Sequence, residues 1–266
     1  MVPSSVKNYL SGVKMLHIFH GLSYPHSEDF LLHLELRGIS RLDPHVPVRA
    51  VPVTPDILTA FYHHMDVTDS LHCSVWACSL FLFYTMARLG SILPSGPSSP
   101  LNKFLTRDRV NFSVEGLLIT LLHTKTIQFG KRRLHIPLLR TDQMLCPVRA
   151  YEQALSFTDP GLSTGPAFIF WKKGKITWLT KYIFIHTFCS VLRTGGVTQA
   201  SSFTGHSFRR GGATWAFQVG IPGELIQICG DWVSDSYKRY LEFSMDHRLD
   251  LAARFEAARF AKYLPQ

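Results

Sequence analysis

The sequence lacks the features that mark secreted and membrane-spanning proteins. Its longest apolar run, residues 75–87, contains Ser79 and Thr85 and stops at Arg88, so it is too short to cross a bilayer and predicts a buried helix. No terminal stretch has the charged, apolar and small-residue regions of a signal peptide. The 5 cysteines form no CxxC pair, and this odd count predicts reduced thiols in an intracellular protein.

Charged residues are scarce, at 18% of the 266 residues, and they are unevenly distributed. The formal net charge is +9, yet residues 1–90 carry 6 basic and 7 acidic side chains, against 22 basic and 12 acidic in residues 91–266. Basic clusters stand at Lys131-Arg132-Arg133, Lys172-Lys173-Gly174-Lys175 and Arg209-Arg210. Such an asymmetry favours a polyanionic partner, because neutralising phosphates releases counterions. Charge by itself leaves DNA, RNA and membrane surfaces open.

Prolines divide the chain into a short first part and a long second part. They stand at positions 44, 47, 52 and 55, a density that no helix tolerates, so residues 47–53 are predicted to be an extended linker. Residues 1–46, with helices predicted at 5–20 and 30–37, are expected to be a partial helical segment. Residues 54–266 are expected to be the main domain, since 46% hydrophobic residues allow a sizeable core.

The main domain is predicted to be mainly α-helical with one small three-stranded antiparallel sheet. Alternating apolar residues over 109–139 predict a three-stranded meander, with the turn between the second and third strands at residues 128–131. Helical periodicity and capping residues predict helices from residue 54 and at residues 71–88, 147–157, 180–193, 207–219, 222–229, 234–243 and 246–262.

Four local patterns of polar and aromatic residues stand in a particular order. They are Arg88 at the end of an apolar helix, Lys125 within His-Thr-Lys-Thr, His206 and Arg209 within Thr-Gly-His-Ser-Phe-Arg-Arg-Gly-Gly, and Trp232 and Tyr240 within Gly-Asp-Trp-Val-Ser-Asp-Ser-Tyr-Lys-Arg-Tyr. His206 and Arg209 are three residues apart and share a face of a helix's first turn, beside its partial positive charge. Each pattern alone has an ordinary structural interpretation, such as a surface lysine or a core tyrosine.

In this order the residues resemble the catalytic set of the tyrosine recombinases, the phage-integrase-like enzymes that break and rejoin DNA. The resemblance covers residues 54–262, and residues 5–20 resemble the end of that family's core-binding domain. The form Gly-x-Trp-x-Ser-Asp-x-Tyr-x-x-Tyr is most similar to recombinases of eukaryotic mobile elements, of the Crypton or DIRS/Ngaro kind.

The resemblance implies the DNA breaking-rejoining catalytic fold and a role for each site residue. Arg88 and Arg209 would clamp the non-bridging oxygens of the scissile phosphate, with His206 beside them. Lys125 would protonate the 5′-oxygen leaving group, Trp232 would donate its indole N–H to the phosphate, and Tyr240 would be the nucleophile.

Three positions qualify the resemblance. Tyr237 competes with Tyr240 as the nucleophile, although Tyr240 has the better spacing from the Gly-Asp-Trp motif. Asp231 competes with Trp232 for the phosphate-donor position, but an ionised carboxylate cannot donate. Ser91 stands where the family commonly has an acidic residue, which suggests reduced activity or altered support of the site.

The implied function is a site-specific recombinase or integrase that works through a 3′-phosphotyrosyl link. The implied partners are double-stranded DNA and further copies of the chain in a synaptic tetramer, with no cofactor, no metal ion and no membrane. The expected location is the nucleus in a eukaryote, otherwise the cytoplasm or nucleoid. A type IB topoisomerase-like enzyme and a catalytically silent, recombinase-derived DNA-binding protein are the alternatives. RNA binding is disfavoured because no RNP-like aromatic motif is present.

Overall fold

The structure of the chain is a computed structural model that describes residues 3–24, 30–42, 50–128, 131–158, 162–241 and 245–263. The described residues form ten α-helices: α1 (Pro3–Phe19), α2 (Phe30–Leu42), α3 (Pro55–His64), α4 (Ser70–Thr85), α5 (Leu89–Ile92), α6 (Pro147–Ser156), α7 (Lys181–Thr194), α8 (Gly205–Gln218), α9 (Gly223–Cys229) and α10 (Met245–Tyr263). They also form five strands: β1 (Val110–Phe112), β2 (Gly116–Leu121), β3 (Leu134–Leu139), β4 (Ile169–Lys172) and β5 (Lys175–Trp178). Short 3-10 helices lie at Leu101–Lys103, Arg107–Arg109, Ala200–Ser202 and Asp235–Arg239.

The chain divides into two compact units, Met1–Arg49 and Ala50–Gln266. The predicted boundaries of the N-terminal segment, linker and main domain stay a prediction. Within the second unit, Val53 is fully buried and its N–H donates to the carbonyl of Ser207 at 3.0 Å. The end of the predicted linker is therefore part of the larger unit. A buried apolar side chain and a backbone hydrogen bond to α8 hold it there.

The first unit contains α1 and α2, where the sequence predicts helices. The predicted end of the second helix near Gly38 is wrong, because α2 continues to Leu42. A glycine inside a helix costs only about 1 kcal/mol relative to alanine, which neighbouring residues can offset. Leu36 is buried on this helix, and Ser40 Oγ donates to its carbonyl at 2.7 Å.

The core of the second unit surrounds α4, which is apolar on all sides and almost wholly buried. Two caps fix the helices that build this core, as the sequence predicts for α3. Thr54 Oγ1 accepts the N–H of Ile57 at 3.3 Å, and Asp69 accepts the N–H of Leu71 at 2.6 Å at the start of α4. A continuous cluster of aromatic rings from α3, α4, α7 and α8 fills the interior, namely Phe61, Trp76, Phe184, Phe188 and Phe208.

The three-stranded antiparallel meander is confirmed, in the order β1-β2-β3. Its register places Ile119 between Val110 and Ile136, and these three cross-strand neighbours lie on the face of the sheet that is buried in the core. The turn predicted at 128–131 includes residues 129–130, which lie outside the described residues. The mainly α-helical class with a small antiparallel sheet is likewise confirmed.

Two further predictions of local structure are wrong. A second, two-stranded sheet forms from β4 and β5, whose short turn contains Lys173 and Gly174 at φ values of 50° and 74°. Each of these strands has only four residues and meets the other at a lysine-rich turn, so the sequence shows no alternation long enough to indicate a strand. The helix predicted over 234–243 is instead a 3-10 helix, Asp235–Arg239, and Tyr240 is its C-terminal cap. Residues 242–243 lie outside the described residues.

Candidate active site

The helix expected to end at Arg88 ends three residues earlier, at Thr85. Met86 adopts a left-handed conformation with φ of 50°, and Thr85 Oγ1 accepts the N–H of Ala87 at 3.2 Å, which turns the chain out of the helix. Arg88 therefore lies after a sharp bend, as the cap of the short helix α5. The same bend frees the Met86 carbonyl, which accepts a hydrogen bond from Arg209 Nη1.

Arg209 lies in the second turn of α8, a helix whose start is fixed by a capping box. The N–H of Thr204 donates to Ser207 Oγ at 2.9 Å, and the Thr204 side chain accepts in return from the backbone at Ser207. The two glycines after Arg210 bring α8 against the core. A Cβ at Gly211 would collide with the Val53 carbonyl, and one at Gly212 would collide with the Phe83 carbonyl.

This close approach buries Arg209, which is only 1% exposed. Burial lowers the pKa of Arg209 to about 10, with the Arg88 guanidinium as the next cause; the nearby Tyr240 and Asp231 oppose the shift. The guanidinium thus stays charged near neutral pH. Its Nε and Nη2 atoms are buried and have no hydrogen-bond partner among the described residues. Such donors cost about 1–3 kcal/mol each unless a ligand accepts from them.

Two aromatic rings stand beside the Arg209 guanidinium. Its central carbon lies 3.7 Å from the centre of the Trp232 ring and 5.6 Å from the centre of the Tyr240 ring. The two rings are 5.5 Å apart and inclined at 52°. The indole N–H of Trp232 is also buried and has no partner within the described part of the chain. Thr214 on α8 holds the Tyr240 backbone, because its hydroxyl donates to the Tyr240 carbonyl at 2.9 Å.

The two candidate tyrosines occupy different environments. Tyr240 is partly exposed and faces Arg209, as the distance to the guanidinium indicates. Tyr237 is 7% exposed, and its hydroxyl lies against Gly223, where an added Cβ would collide with it. The phenol of Tyr237 therefore points to the start of α9 and packs as a core residue. Of the two phenols, that of Tyr240 is the one beside Arg209.

His206 stands on the first turn of α8 and is exposed. Although the residue is exposed as a whole, neighbouring atoms partly desolvate its imidazole. This desolvation first, and then the repulsion of a further positive charge by the Arg209 and Arg88 guanidinium groups, hold the pKa of His206 below its usual value. The imidazole is thus neutral near pH 7 and able to accept a proton. Arg88 itself is half-buried and lines one small cavity together with Arg209 and Ser91.

Lys125 is exposed on the loop that follows β2, here called the Lys125 loop and defined as residues 123–128. Its neighbours Thr124 and Thr126 both donate hydrogen bonds to the carboxylate of Asp231, which also pairs with Arg132. The loop is thereby tied to the residue that precedes Trp232. The sequence gives no sign of this contact, because the threonines and the aspartate are more than 100 residues apart.

Arg209 thus lies beside Trp232 and Tyr240 and lines one cavity with Arg88, and both guanidinium groups act on the charge of His206. The Lys125 loop is tied to this group through Asp231, while the lysine itself is exposed. Ser91 is 5% exposed and lines the same cavity, so the place where the resemblance implies an acidic residue is occupied by a hydroxyl. No group of three or more His, Cys, Asp or Glu side chains within the described residues is arranged to hold a metal ion. Among the described helices, none combines the length and apolar character needed to span a membrane.

No protein-family model and no curated protein matches the chain. Solved structures do resemble it. The post-cleavage complex of the XerH site-specific recombinase with a palindromic difH substrate has a TM-score of 0.54 at 12% identity. That alignment covers 80% of this chain and 55% of the XerH chain. The XerA recombinase has a TM-score of 0.53 at 15% identity, covering 100% of this chain and 85% of its own.

A third structure, a lambda integrase dimer bound to a COC′ core site, has a TM-score of 0.50 at 14% identity and covers 91% of this chain and 80% of that one. The fold is that of the tyrosine recombinases. At these identities the likeness is one of fold.

Proposed function

We propose that this protein is a site-specific recombinase or integrase that cuts and rejoins duplex DNA through a 3′-phosphotyrosyl link. One observation carries the proposal: the buried donors Arg209 Nε, Arg209 Nη2 and Trp232 Nε1 have no partner among the described residues and stand beside the Tyr240 phenol. A phosphodiester would supply both the oxygens that accept from these donors and the phosphorus that the phenol attacks.

In the cleavage step, Tyr240 Oη bonds to phosphorus while the bond from phosphorus to the 5′-oxygen breaks. The phenolic proton passes to the neutral imidazole of His206, and the Lys125 ammonium gives a proton to the departing 5′-oxygen. The products are a 3′-phosphotyrosyl link and a free 5′-hydroxyl. A placed acid contributes about 100- to 10,000-fold to such a step, because an alkoxide is a poor leaving group.

In the rejoining step, the same groups act in reverse. The 5′-hydroxyl of another strand attacks phosphorus, Lys125 takes its proton, and the phenolate of Tyr240 leaves and recovers a proton from His206. The two guanidinium groups, Arg88 and Arg209, neutralise the added negative charge in both steps. The energy of the broken phosphodiester is kept in the phosphotyrosyl link, so no nucleotide has to be hydrolysed.

Duplex DNA is the proposed partner, in an assembly of several copies of the chain. Residues 91–266 carry 22 basic against 12 acidic side chains, and this excess supports a polyanionic ligand. The XerH structure holds a difH substrate and the lambda integrase structure is a dimer on a core site. By analogy we propose a homo-oligomeric synaptic assembly, which in a recombinase is a tetramer.

A mobile-element origin of the Crypton or DIRS/Ngaro kind, with a nuclear location in a eukaryotic host, forms the finer part of the proposal. Its support is the form Gly230-x-Trp232, followed by Ser-Asp and two tyrosines three residues apart.

A catalytically silent DNA-binding protein is the second candidate function. The buried hydroxyl of Ser91, in place of a carboxylate next to Arg88, is the observation that favours it.

A covalent-trap experiment tests the proposal. The purified chain is incubated with a labelled pool of nicked duplexes whose flanking sequence is randomised, so that cleavage near the nick releases a short strand that cannot rejoin. We expect a protein–DNA band on a denaturing gel that disappears in Tyr240→Phe and persists in the matched variant Tyr237→Phe. Retained duplex DNA without any covalent band would instead establish the silent DNA-binding protein.

A further inference from the structure

Asp231 connects two parts of the candidate site that are distant in sequence. Its carboxylate is buried, and it accepts hydrogen bonds from the hydroxyls of Thr124 and Thr126. These two threonines flank Lys125 on both sides. The other oxygen of the carboxylate pairs with Arg132, just before β3, whose side chain is 50% exposed. The residue after Asp231 is Trp232, which stacks on Arg209.

The Lys125 loop is anchored at its base while the lysine itself stays exposed. Thr124 Oγ1 accepts the backbone N–H groups of Thr126, at 3.1 Å, and of Ile127, at 3.0 Å. Ile127 is fully buried and closes the loop on its apolar side. Because the hydroxyl of Thr124 donates to Asp231 and accepts from the loop, its orientation is set by the carboxylate.

The contacts of the Asp231 carboxylate join the Lys125 loop to the end of α9. The carboxylate is buried but its cationic partner Arg132 is half exposed, so water screens this ion pair and it contributes little net stability. Asp231 has a left-handed φ of 55° because it is the residue just beyond the end of α9. Its N–H donates to the Ile228 carbonyl at 3.1 Å and that of Trp232 donates to the Gln227 carbonyl at 3.0 Å, so this helix end fixes the carboxylate next to Trp232. Among the described residues that line the cavity with Arg88 and Arg209, Asp231 is the one acidic side chain.

We propose that Asp231 is a positioning residue that fixes the Lys125 loop to the Arg209–Trp232 site, so that the lysine meets the leaving oxygen of the phosphate held there. The inference rests on the proposed function and deepens it. Asp231 acts through Lys125 and has no proton-transfer role of its own. Its removal should therefore harm the protonation of the leaving group and leave phosphate binding and the attack by Tyr240 almost unchanged.

A substrate with sulfur in place of the bridging 5′-oxygen separates these effects. A thiolate leaves without a proton, because thiols have a pKa of about 8.5. With the ordinary nicked duplex, we expect Asp231→Asn to slow covalent trapping about 10- to 100-fold, a part of the ~100- to 10,000-fold that a placed acid contributes. With the 5′-sulfur duplex, the trapping rate of the same variant should lie within about threefold of the rate of the unchanged protein. Lys125→Ala should show the same recovery on this substrate.

A milder pair of variants guards against a folding defect in Asp231→Asn. Thr126→Val removes one of the hydrogen bonds to the carboxylate and keeps the side-chain volume, so it should show a smaller loss that sulfur also restores. Thr120→Val is the matched control, because Thr120 lies on β2 and its hydroxyl contacts His135 at 3.1 Å instead of Asp231. It should trap both substrates at the normal rate.

The outcomes separate the inference from the function on which it rests. An equal loss on the oxygen and sulfur substrates in both Asp231→Asn and Thr126→Val overturns the positioning role while leaving the recombinase function intact. The absence of any loss on the oxygen substrate overturns it as well. If the unchanged chain traps neither substrate, the proposed function fails and the positioning role fails with it.

Discussion

The guanidinium carbon of Arg209 lies 3.7 Å from the centre of the Trp232 ring. A cation over an indole face is attracted by the ring's quadrupole, and the attraction grows to about 2 kcal/mol when the pair is desolvated. Both residues are buried here, so the ring holds the guanidinium in place without occupying its donors. Nε and Nη2 therefore remain available to a phosphate, as does the indole N–H.

Replacing Trp232 by phenylalanine should separate the ring's packing from its N–H. Trp232→Phe keeps an aromatic face on Arg209 but removes the buried donor, so we expect trapping to slow by about 10-fold, in line with the removal of one hydrogen bond of ~1.5 kcal/mol to a charged phosphate. Its free energy of unfolding should fall by less than about 2 kcal/mol, against about 3–5 kcal/mol for Trp232→Ala. Denaturant unfolding and trapping rates measure the two effects. Unchanged trapping in Trp232→Phe would remove the indole N–H from the mechanism.

The sequence predicts the main helices and the meander well, because their signals are local. Thr54 and Pro55 mark the start of α3, and the alternation of Leu134, Ile136 and Leu138 marks β3. The bend at Met86 has no such signal, since a left-handed methionine is set by packing and by the Thr85 hydroxyl. The short β4–β5 hairpin is missed for a similar reason: its strands are too brief to show a period.

For the candidate site, the sequence predicts which residues belong to it and their order along the chain. It does not predict how these residues come together. Arg88 and Tyr240 lie more than 150 residues apart, so their approach depends on how α4 and α8 pack. That packing requires Gly212, where a Cβ would collide with the Phe83 carbonyl. The Gly-Gly pair indicates a close approach to some backbone, but the sequence does not say which one. The contacts of Asp231 are tertiary as well, and the sequence suggests this residue only as an alternative to Trp232 for donating to the phosphate.

The pH dependence of cleavage should report the state of His206. Partial desolvation and the two guanidinium groups lower the pKa of His206 below its usual value of 6.5, so the imidazole is neutral at pH 7. In the proposed mechanism this neutral imidazole accepts the phenolic proton. Protonation at lower pH removes this acceptor, so the trapping rate should fall as the pH drops through a value below 6.5. The rate should be flat from about pH 7 to 8. Trapping rates between pH 5 and 8 measure this limb.

His206→Ala is the comparison for the pH profile. It should be slower at pH 7 and should lack the acidic limb, because no imidazole remains to be protonated. An unchanged limb in this variant would assign the titration to another group.

The close approach of α8 to α4 should make Gly212 intolerant of any side chain. A Cβ there would collide with the carbonyl of Phe83, and backbone atoms cannot move aside as a flexible side chain can. We expect Gly212→Ala to lower the free energy of unfolding by about 1–3 kcal/mol, the cost of overpacking a core. Gly96→Ala is the control, since a Cβ at Gly96 meets nothing within 4 Å. Equal stability of the two variants in urea would contradict the packing argument.

The salt dependence of DNA binding should locate the surface that faces the duplex. In the proposed mechanism Lys125 approaches a phosphate, so the exposed charges of Lys131 and Arg133, just before β3, should lie near the DNA backbone. The slope of log K against log salt should become shallower by about 0.9 for each phosphate that the protein no longer neutralises, so the double change Lys131→Gln with Arg133→Gln should reduce it by about 1.8. Exchanging the two residues, Lys131→Arg with Arg133→Lys, keeps the charge and should keep the slope. A slope that is equal in both double variants would mean that DNA approaches the site from another side.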